Sequence, residues 1–520
     1  MRKTTVNAQS LMKSTGVNEL GNGLSLYLSN VRKGRERTAD SWLYENQDRD
    51  QVLKRWLPIL KASNGNSEIG KSFTQFDLKQ IAKFGPQGEI PPIDSEECSE
   101  VVEPLYSSSE YNDAYRLKEW FSLADEFGRV LFGAHTLRER PLGYQAVLND
   151  MARNGKLSTN SGFPYFTRRS TVQRKEAQYA QSLAAYAFPA VILFRFYFGK
   201  LRPVWMFPMS TNLIESSFSL KIQRMIEASP LEWVRDYCTP WRGFTYVKSV
   251  LRKQWPRSRS IVGGDTTKMD AHMRPAQLQL VYRIVRWLFQ QQYWPELERS
   301  LMHVNKIGML WKYERETELY TQIEGIHGLA SGSSWTQLAE TVLQLFMAYV
   351  YGVHGQGIGD DFYWIADMSA ERICSCLSRF GLPANPAKQS VSDIHLSFLQ
   401  RYFHQDFSSK ESDTAAGAYY PTIRALCSLL MPERFHDPKV WSVDMFCVRN
   451  YMILENCADD PCFDEFVKFV VRGHKAMSAF AKKTASDLNK IQLEARKVPG
   501  LTPTYNQEHV DKPLSEFTSI

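Results

Sequence analysis

The sequence predicts an α+β fold in which a small antiparallel sheet is backed by helices. Three stretches carry that expectation. Residues 350–365 read as strand, turn, strand: a Gly-interrupted run leads into Gly359-Asp360-Asp361, an apolar β-prone run follows, and Gly359 supplies the tight turn. Residues 261–265 read as a short strand that runs into a loop. A long helix follows, with Leu278, Val281, Tyr282, Val285, Leu288 and Phe289 on one stripe. Residues 420–495 read as mostly helical, with amphipathic runs around 441–454 and 463–480.

A chain of 520 residues can bury large cores and should divide into several domains. Its 43% hydrophobic and 23% charged content is that of a soluble globular protein. A net charge of +7 and a pI near 8.8 suit a polyanionic partner. The eight cysteines are scattered, with close pairs only at Cys374/Cys376 and Cys457/Cys462. The absence of a C-x-x-C argues against a zinc ribbon and for a reducing, cytosolic compartment. The mostly polar residues 1–23 show no signal peptide, and the longest apolar run, 183–194, contains Pro189 and is too short to cross a bilayer. No membrane association is expected.

Taken in order, residues 1–62 begin polar and basic, with Arg32, Lys33, Arg35 and Arg37 clustered, and read as a solvated arm or a contact with RNA or a shell protein. Turn-rich stretches at 63–67 and 85–92 suggest an N-terminal extension that ends near residue 95. From Glu110 to about Met151 the pattern is helical. Thr159-Asn160-Ser161-Gly162-Phe163-Pro164-Tyr165 is a turn-rich loop. Lys200 and Arg202 stand on alternate positions at the start of an apolar strand, so both could face one anion such as a triphosphate. A second basic stretch, with Lys248, Arg252, Lys253, Arg257 and Arg259 around Trp255, could hold a nucleic-acid backbone or be a surface loop. Residues 291–325 are charged and mixed, like an inserted segment. Ser331-Gly332-Ser333-Ser334-Trp335-Thr336 leads into a helix and offers hydroxyls and free N–H groups to a polar ligand, or a plain serine cap. Residues 398–403 read as a strand, and the last stretch, 499–520, as an irregular tail.

Two adjacent carboxylates at a hairpin tip repel each other unless a cation sits there, and a hard divalent ion, Mg²⁺ or Mn²⁺, is the natural occupant. A solvated acidic turn is the bland alternative, since Gly-Asp-Asp arises by accident in a chain this long about one time in ten. Asp265 lies at a strand end and Asp270 at a helix start, where a carboxylate is also favoured by the helix dipole.

The order of these signals is more specific than any one of them. A Ser-Gly-x-Pro loop, a Lys-x-Arg strand, an Asp-x4-Asp strand–helix, a Ser-Gly-x3-Thr loop–helix, a Gly-Asp-Asp hairpin, the late lysine Lys388 and a Phe-Leu-x-Arg strand follow one another from Thr159 to Phe403. This order resembles motifs G, F, A, B, C, D and E of viral RNA-dependent RNA polymerases. The strings Trp205-Met206-Phe207-Pro208, 265–270 and Trp335-Thr336-Gln337 most resemble picobirnavirus polymerases, with partitivirus polymerases next.

The resemblance implies a right hand of fingers, palm and helical thumb. The expected divisions are an N-terminal extension over 1–95, fingers over 96–255 and 291–325, palm over 256–290 and 326–405, thumb over 406–498 and a tail over 499–520. It implies that Asp265 and Asp360, with Asp361 as adjunct, hold two Mg²⁺ or Mn²⁺ ions, and that Lys388 acts as general acid toward pyrophosphate. Lys200 and Arg202 would neutralise the triphosphate, and Ser161, Gly162 and Pro164 would meet template RNA. Asp270, Ser331 and Thr336 would read the ribose: reverse transcriptases usually carry an aromatic residue where this chain has Asp270, which can accept from a 2′-OH. Glu340 stands where many positive-strand virus polymerases have an asparagine, so its contact with the sugar differs in kind. The implied protein is a replicase of a segmented double-stranded RNA virus. Its partners would be RNA, NTPs and capsid protein, in the virion interior and the host cytoplasm.

Three rivals stay open at this level. A reverse transcriptase is disfavoured by Asp270. A two-metal nuclease or phosphohydrolase has no need of the Lys200/Arg202 strand or the Ser331 loop. A non-enzymatic RNA-binding, capsid-lining protein would not need all three acids.

Overall fold

The computed structural model describes residues 1–107, 117–255, 259–498, 501 and 512–520, with Asp265 described by its backbone. The expected helical positions 110–116, Arg257 and most of the tail lie outside the described residues. The strands are β1 (Arg2–Asn7), β2 (Ala190–Tyr197), β3 (Lys200–Met206), β4 (Ile261–Asp265), β5 (Met309–Glu314), β6 (Leu319–Glu324), β7 (His354–Ile358), β8 (Asp361–Ile365), β9 (Ser390–Ser392), β10 (His395–Phe398) and β11 (Arg401–His404).

The palm is an antiparallel sheet in the order β7-β8-β4-β9. Helices Pro275–Val285 and Thr336–Tyr351 back it, as expected, and bury Leu278, Val281, Val342, Leu345 and Phe346. The single long helix expected after Asp270 is interrupted. A short turn of helix, Met269–His272, ends before Pro275, which starts the next helix because it has no N–H to continue the previous one.

Outside the palm, the segment 291–325 supplies β5 and β6, which form the middle of a five-stranded sheet ordered β1-β6-β5-β2-β3. One sequence expectation is corrected here: residues 1–62 are not a solvated arm. Strand β1 pairs along its whole length with β6, from Arg2↔Glu324 to Asn7↔Leu319. Helix Arg49–Asn64 buries Val52, Leu53, Trp56 and Leu60 in the same core as the C-terminal helices Thr422–Leu430 and Phe463–Val471. Trp56 donates from Nε1 to Thr422 Oγ1 at 2.9 Å and packs on Phe466. The polar composition of the segment hid a buried stripe.

The segment that follows this helix also ties fingers to thumb. Gly88 N–H donates to Phe196 O of β2 at 3.0 Å, and Gln87 Nε2 donates to Met431 O at 2.6 Å. Asp77 is fully buried and caps the first turn of the helix Thr422–Leu430. Its carboxylate accepts from the N–H groups of Thr422 and Ile423 and the hydroxyls of Thr422 and Tyr419, all within 2.8 Å. Burial still outweighs these bonds and pushes its pKa up to about 6. The end of the chain is also held: buried Glu455 accepts from Lys512 Nζ, Thr518 N–H, and the N–H and hydroxyl of Ser519.

Among the described residues no helix is long and apolar enough to cross a membrane. All eight cysteines are free.

Candidate active site

Strand pairing unites the acids. In the β4–β8 ladder Asp265 is the partner of Asp361, although almost a hundred positions separate them in sequence. Strands β7 and β8 join through the two-residue turn Gly359-Asp360, since Ile358 pairs with Asp361. Gly359 has φ +60°, a conformation that favours glycine, and its N–H donates to Thr341 Oγ1 of the helix beneath at 2.9 Å. The turn is thus fixed to the palm helix, with Asp360 exposed at its tip.

The expected strand 398–403 is a second hairpin instead. Strands β10 and β11 join through Leu399 and Gln400, both with positive φ (49° and 63°). Left-handed backbone at a leucine is rare, and apolar sequence patterning gave no sign of it. The tip is aimed at the acids: Leu399 N–H donates to Asp361 Oδ2 at 2.8 Å. Asp361 is therefore partly committed to holding the hairpin.

One cavity of about 850 Å³ brings together Asp360, Asp361, Lys200, Arg202, Ser331, Thr336 and Glu340. Lys200 and Arg202 alternate on β3 and are both exposed, and a tight turn at Phe198-Gly199 connects β3 to β2. Ser331 Oγ lies 3.3 Å from Pro203 O, and Thr336 Oγ1 donates to Ala330 O at 2.9 Å, so this loop is laid against the Lys200/Arg202 strand. Gly332 is the closest approach: any Cβ there would fall on the carbonyl oxygen of Trp205.

Asp270 is beside this group. Its Oδ1 accepts from Ala271 N–H at 2.9 Å, and its backbone oxygen accepts from Leu329 N–H at 2.7 Å, which fastens it to the start of the Ser/Gly loop. Desolvation raises its pKa, Asp360 adds to the rise, and Arg202 and Lys268 oppose it. Glu340 is buried, with Oε2 facing Gly359, and its pKa is raised well above the carboxylate range by desolvation and then by Asp360 and Asp270. Three described acids thus compete for one region. Among the described residues, however, no group of three or more acids, histidines or cysteines is gathered closely enough to hold a metal ion.

The other expected site residues lie at or outside the rim. Lys388 ends a short 3-10 turn, Pro386–Lys388, just before β9. The nearby bonds Thr267 N–H to Pro383 O and the bridge Thr266↔Ala384 place that turn alongside the end of β4, but Lys388 is not among the residues lining the cavity. Ser161 is buried rather than presented: its carbonyl accepts from Met209 N–H and its hydroxyl from Thr167 N–H. Gly162 packs against the backbone of Phe207, and the Phe163–Pro164 bond is cis.

The sequence reading missed four cations on the cavity wall: Lys83, Arg195, Arg424 and Arg434. They come from the N-terminal segment, from β2 and from the thumb, so no local motif announces them. Arg195 makes a bidentate pair with Glu433 at 2.6 and 2.7 Å, which joins fingers to thumb. Arg424 is buried, with its guanidinium 3.8 Å from the centre of the Phe198 ring and Nε without a partner among the described residues. The Lys83 pKa is lowered by desolvation and then by Lys200, Arg424 and Arg202, so the wall is a mutually repelling group of cations.

No protein-family model matches the chain. A curated relative, a potential RNA-dependent RNA polymerase of human picobirnavirus (strain Human/Thailand/Hy005102/-), is 26% identical over 517 residues, covering 93% of this chain and 90% of its own. Crystal structures of the RNA-dependent RNA polymerase of a human picobirnavirus and of its insertion-loop deletion mutant each superpose with a TM-score of 0.76 at 22% identity. Each superposition covers 95% of this chain, with 96% of the former structure and 97% of the latter. That likeness establishes the right-hand polymerase fold. By fold, and by sequence along nearly its whole length, the chain is a relative of the RNA-dependent RNA polymerases of picobirnaviruses.

Proposed function

We propose that the chain is an RNA-directed RNA polymerase that replicates and transcribes a viral, segmented double-stranded RNA genome by two-metal nucleotidyl transfer. One observation carries the reading: Asp360 and Asp361, the latter paired through the backbone with Asp265, share a cavity with the Lys200/Arg202 strand and the Ser331–Thr336 loop. A nuclease needs the acids but not the other two features.

Asp265 and Asp360, with Asp361 as adjunct, would hold two Mg²⁺ or Mn²⁺ ions. Bound there, such ions supply Lewis acidity to the attacking 3′-oxygen and the departing pyrophosphate. The remaining work falls to the chain. Lys200 and Arg202 bind and orient the triphosphate by charge-assisted hydrogen bonds. Asp270 accepts from the ribose hydroxyls, with Ser331 and Thr336 completing the network, and this favours NTPs over dNTPs. Glu340 completes the acidic wall under the Gly359 turn, where it would accept from the sugar or pair with a nearby cation rather than donate as the usual asparagine does. Lys388, carried next to the end of β4, would protonate pyrophosphate. The loop around Ser161, Gly162 and Pro164 would guide template RNA, through its backbone shape rather than the buried Ser161 hydroxyl. The expected setting is the virion interior and host cytoplasm, with capsid protein as a further partner.

The direct test is NTP incorporation on a single-stranded RNA template with Mg²⁺ or Mn²⁺, with and without primer. Template-dependent RNA product supports the reading. RNA degradation without incorporation, or a preference for dNTPs, overturns it.

A further inference from the structure

Two cavities meet at the Ser/Gly loop. Ser333 lines the large one and also a second, of about 270 Å³, together with Thr159, Arg169, Asn212, Gly332 and Ser334. The loop is therefore a thin partition, and what fixes it in place bears on both sides.

On one side Gly332 rests on the Trp205 carbonyl. On the other stands Glu215, from the middle of helix Met209–Glu227, fully buried and used by none of the steps above. Its Oε1 accepts from Ser333 Oγ at 2.7 Å, and its Oε2 accepts from Ser334 N–H at 2.8 Å and Asn212 Nδ2 at 3.2 Å. Asn212 Nδ2 also donates to Gly332 O at 3.2 Å, and Asn212 Oδ1 accepts from Arg169 Nη2 at 2.9 Å. Arg169 in turn donates from Nε to Asn160 O at 3.1 Å, and Asn160 Oδ1 accepts from Gly162 N–H at 2.8 Å. A continuous chain of hydrogen bonds runs from the Ser/Gly loop to the Ser161 loop.

We propose that Glu215 is a positioning residue for ribonucleotide selection: it sets the Gly332–Ser334 segment, and Asn212 and Arg169 carry that constraint to the loop at 160–162. This assignment rests on the polymerase reading above. A buried carboxylate suits the task because both its oxygens accept, so one side chain fixes a backbone N–H and a hydroxyl at once. Burial pushes its pKa up to about 7, in keeping with a group enclosed for structural precision rather than displayed to solvent.

The test uses the full chain on a primed RNA template. The KM and kcat for NTP and dNTP are measured for Glu215→Ala, Glu215→Gln and Ser333→Ala beside the thermal midpoint of each. Losing a hydrogen bond to a charged group should raise the NTP KM about tenfold for Glu215→Ala, with a smaller change in kcat and a fall in NTP-over-dNTP discrimination. Glu215→Gln keeps an acceptor for Ser333 but turns an N–H toward that of Ser334, so it should fall between. The Glu215→Ala and Ser333→Ala effects should be less than additive in the double variant, because both remove the Ser333–Glu215 bond. If Glu215→Ala fails to fold, the other two variants decide. Unaltered KM and discrimination, or a loss of kcat alone that tracks the folded fraction, overturns the assignment. An inactive wild-type chain overturns the polymerase reading with it, whereas an active wild type with unaltered variants overturns this assignment alone.

Discussion

Asp265 and Asp361 are directly paired across the β4–β8 ladder, and Asp360 is the turn residue immediately before Asp361. A one-residue slip in that ladder would separate them, so the register is part of the chemistry. Asp265→Ala and Asp360→Ala should each abolish NTP incorporation while leaving RNA affinity within about twofold, since phosphate contacts rather than these acids dominate binding. Filter binding and incorporation assays on the same preparations check this. An Asp360→Ala chain that synthesises RNA at the normal rate would refute the assignment.

Asp270 is tied to Leu329 through its backbone and to Asp360 and Arg202 through its charge. Asp270→Ala should lower discrimination between NTP and dNTP by about tenfold, the worth of one hydrogen bond to a charged group. Single-turnover incorporation of the matched pair measures it, and unchanged discrimination removes the proposed role.

Lys83 and Arg434 are exposed on the cavity wall, so their removal should not disturb folding. If they contact RNA phosphates, Lys83→Ala and Arg434→Ala should each weaken RNA binding for every sequence and reduce the slope of log affinity against log salt by about 1. An unaltered slope would show that the wall does not touch the backbone of bound RNA.

Glu176 accepts from Ser210 N–H through one oxygen, while the other is buried without a partner among the described residues. Burial pushes its pKa up to about 7 from an ordinary value of 4.5. The folded chain therefore holds this proton more tightly than the unfolded one. The resulting stability is fully present below pH 4.5 and is lost as pH rises toward 7. Linkage puts the change at about 3 kcal/mol. In Glu176→Gln, denaturant titrations across that range should lose this part of the pH dependence. A slope identical to that of the wild type would contradict the shift.

Much of the palm was legible because its signals are local. Gly359 beside two acids, the Asp265 strand end and the Ser331–Thr336 loop each announce an element, and their order announces the hand. What stayed hidden depends on partners distant in sequence. The run at 398–403 is apolar like a strand, and only the contact between Leu399 and Asp361 explains why it folds back. Residues 1–62 look polar because helix Arg49–Asn64 buries a single stripe, and that stripe has meaning only against thumb side chains far along the chain. Lys83 and Arg424 are lone cations in sequence and become a wall only when the two ends of the chain meet. Glu215 carries no motif, and its value lies in three donors, two of them more than a hundred positions away.

The tether formed by Gln87 and Gly88 reaches Met431 on one side and Phe196 on the other, so one short stretch near the start of the chain fastens the five-stranded sheet to the C-terminal helices. Removing the Gln87 side chain should loosen that joint while leaving each half folded, and amide hydrogen exchange in the helix Thr422–Leu430 should report it.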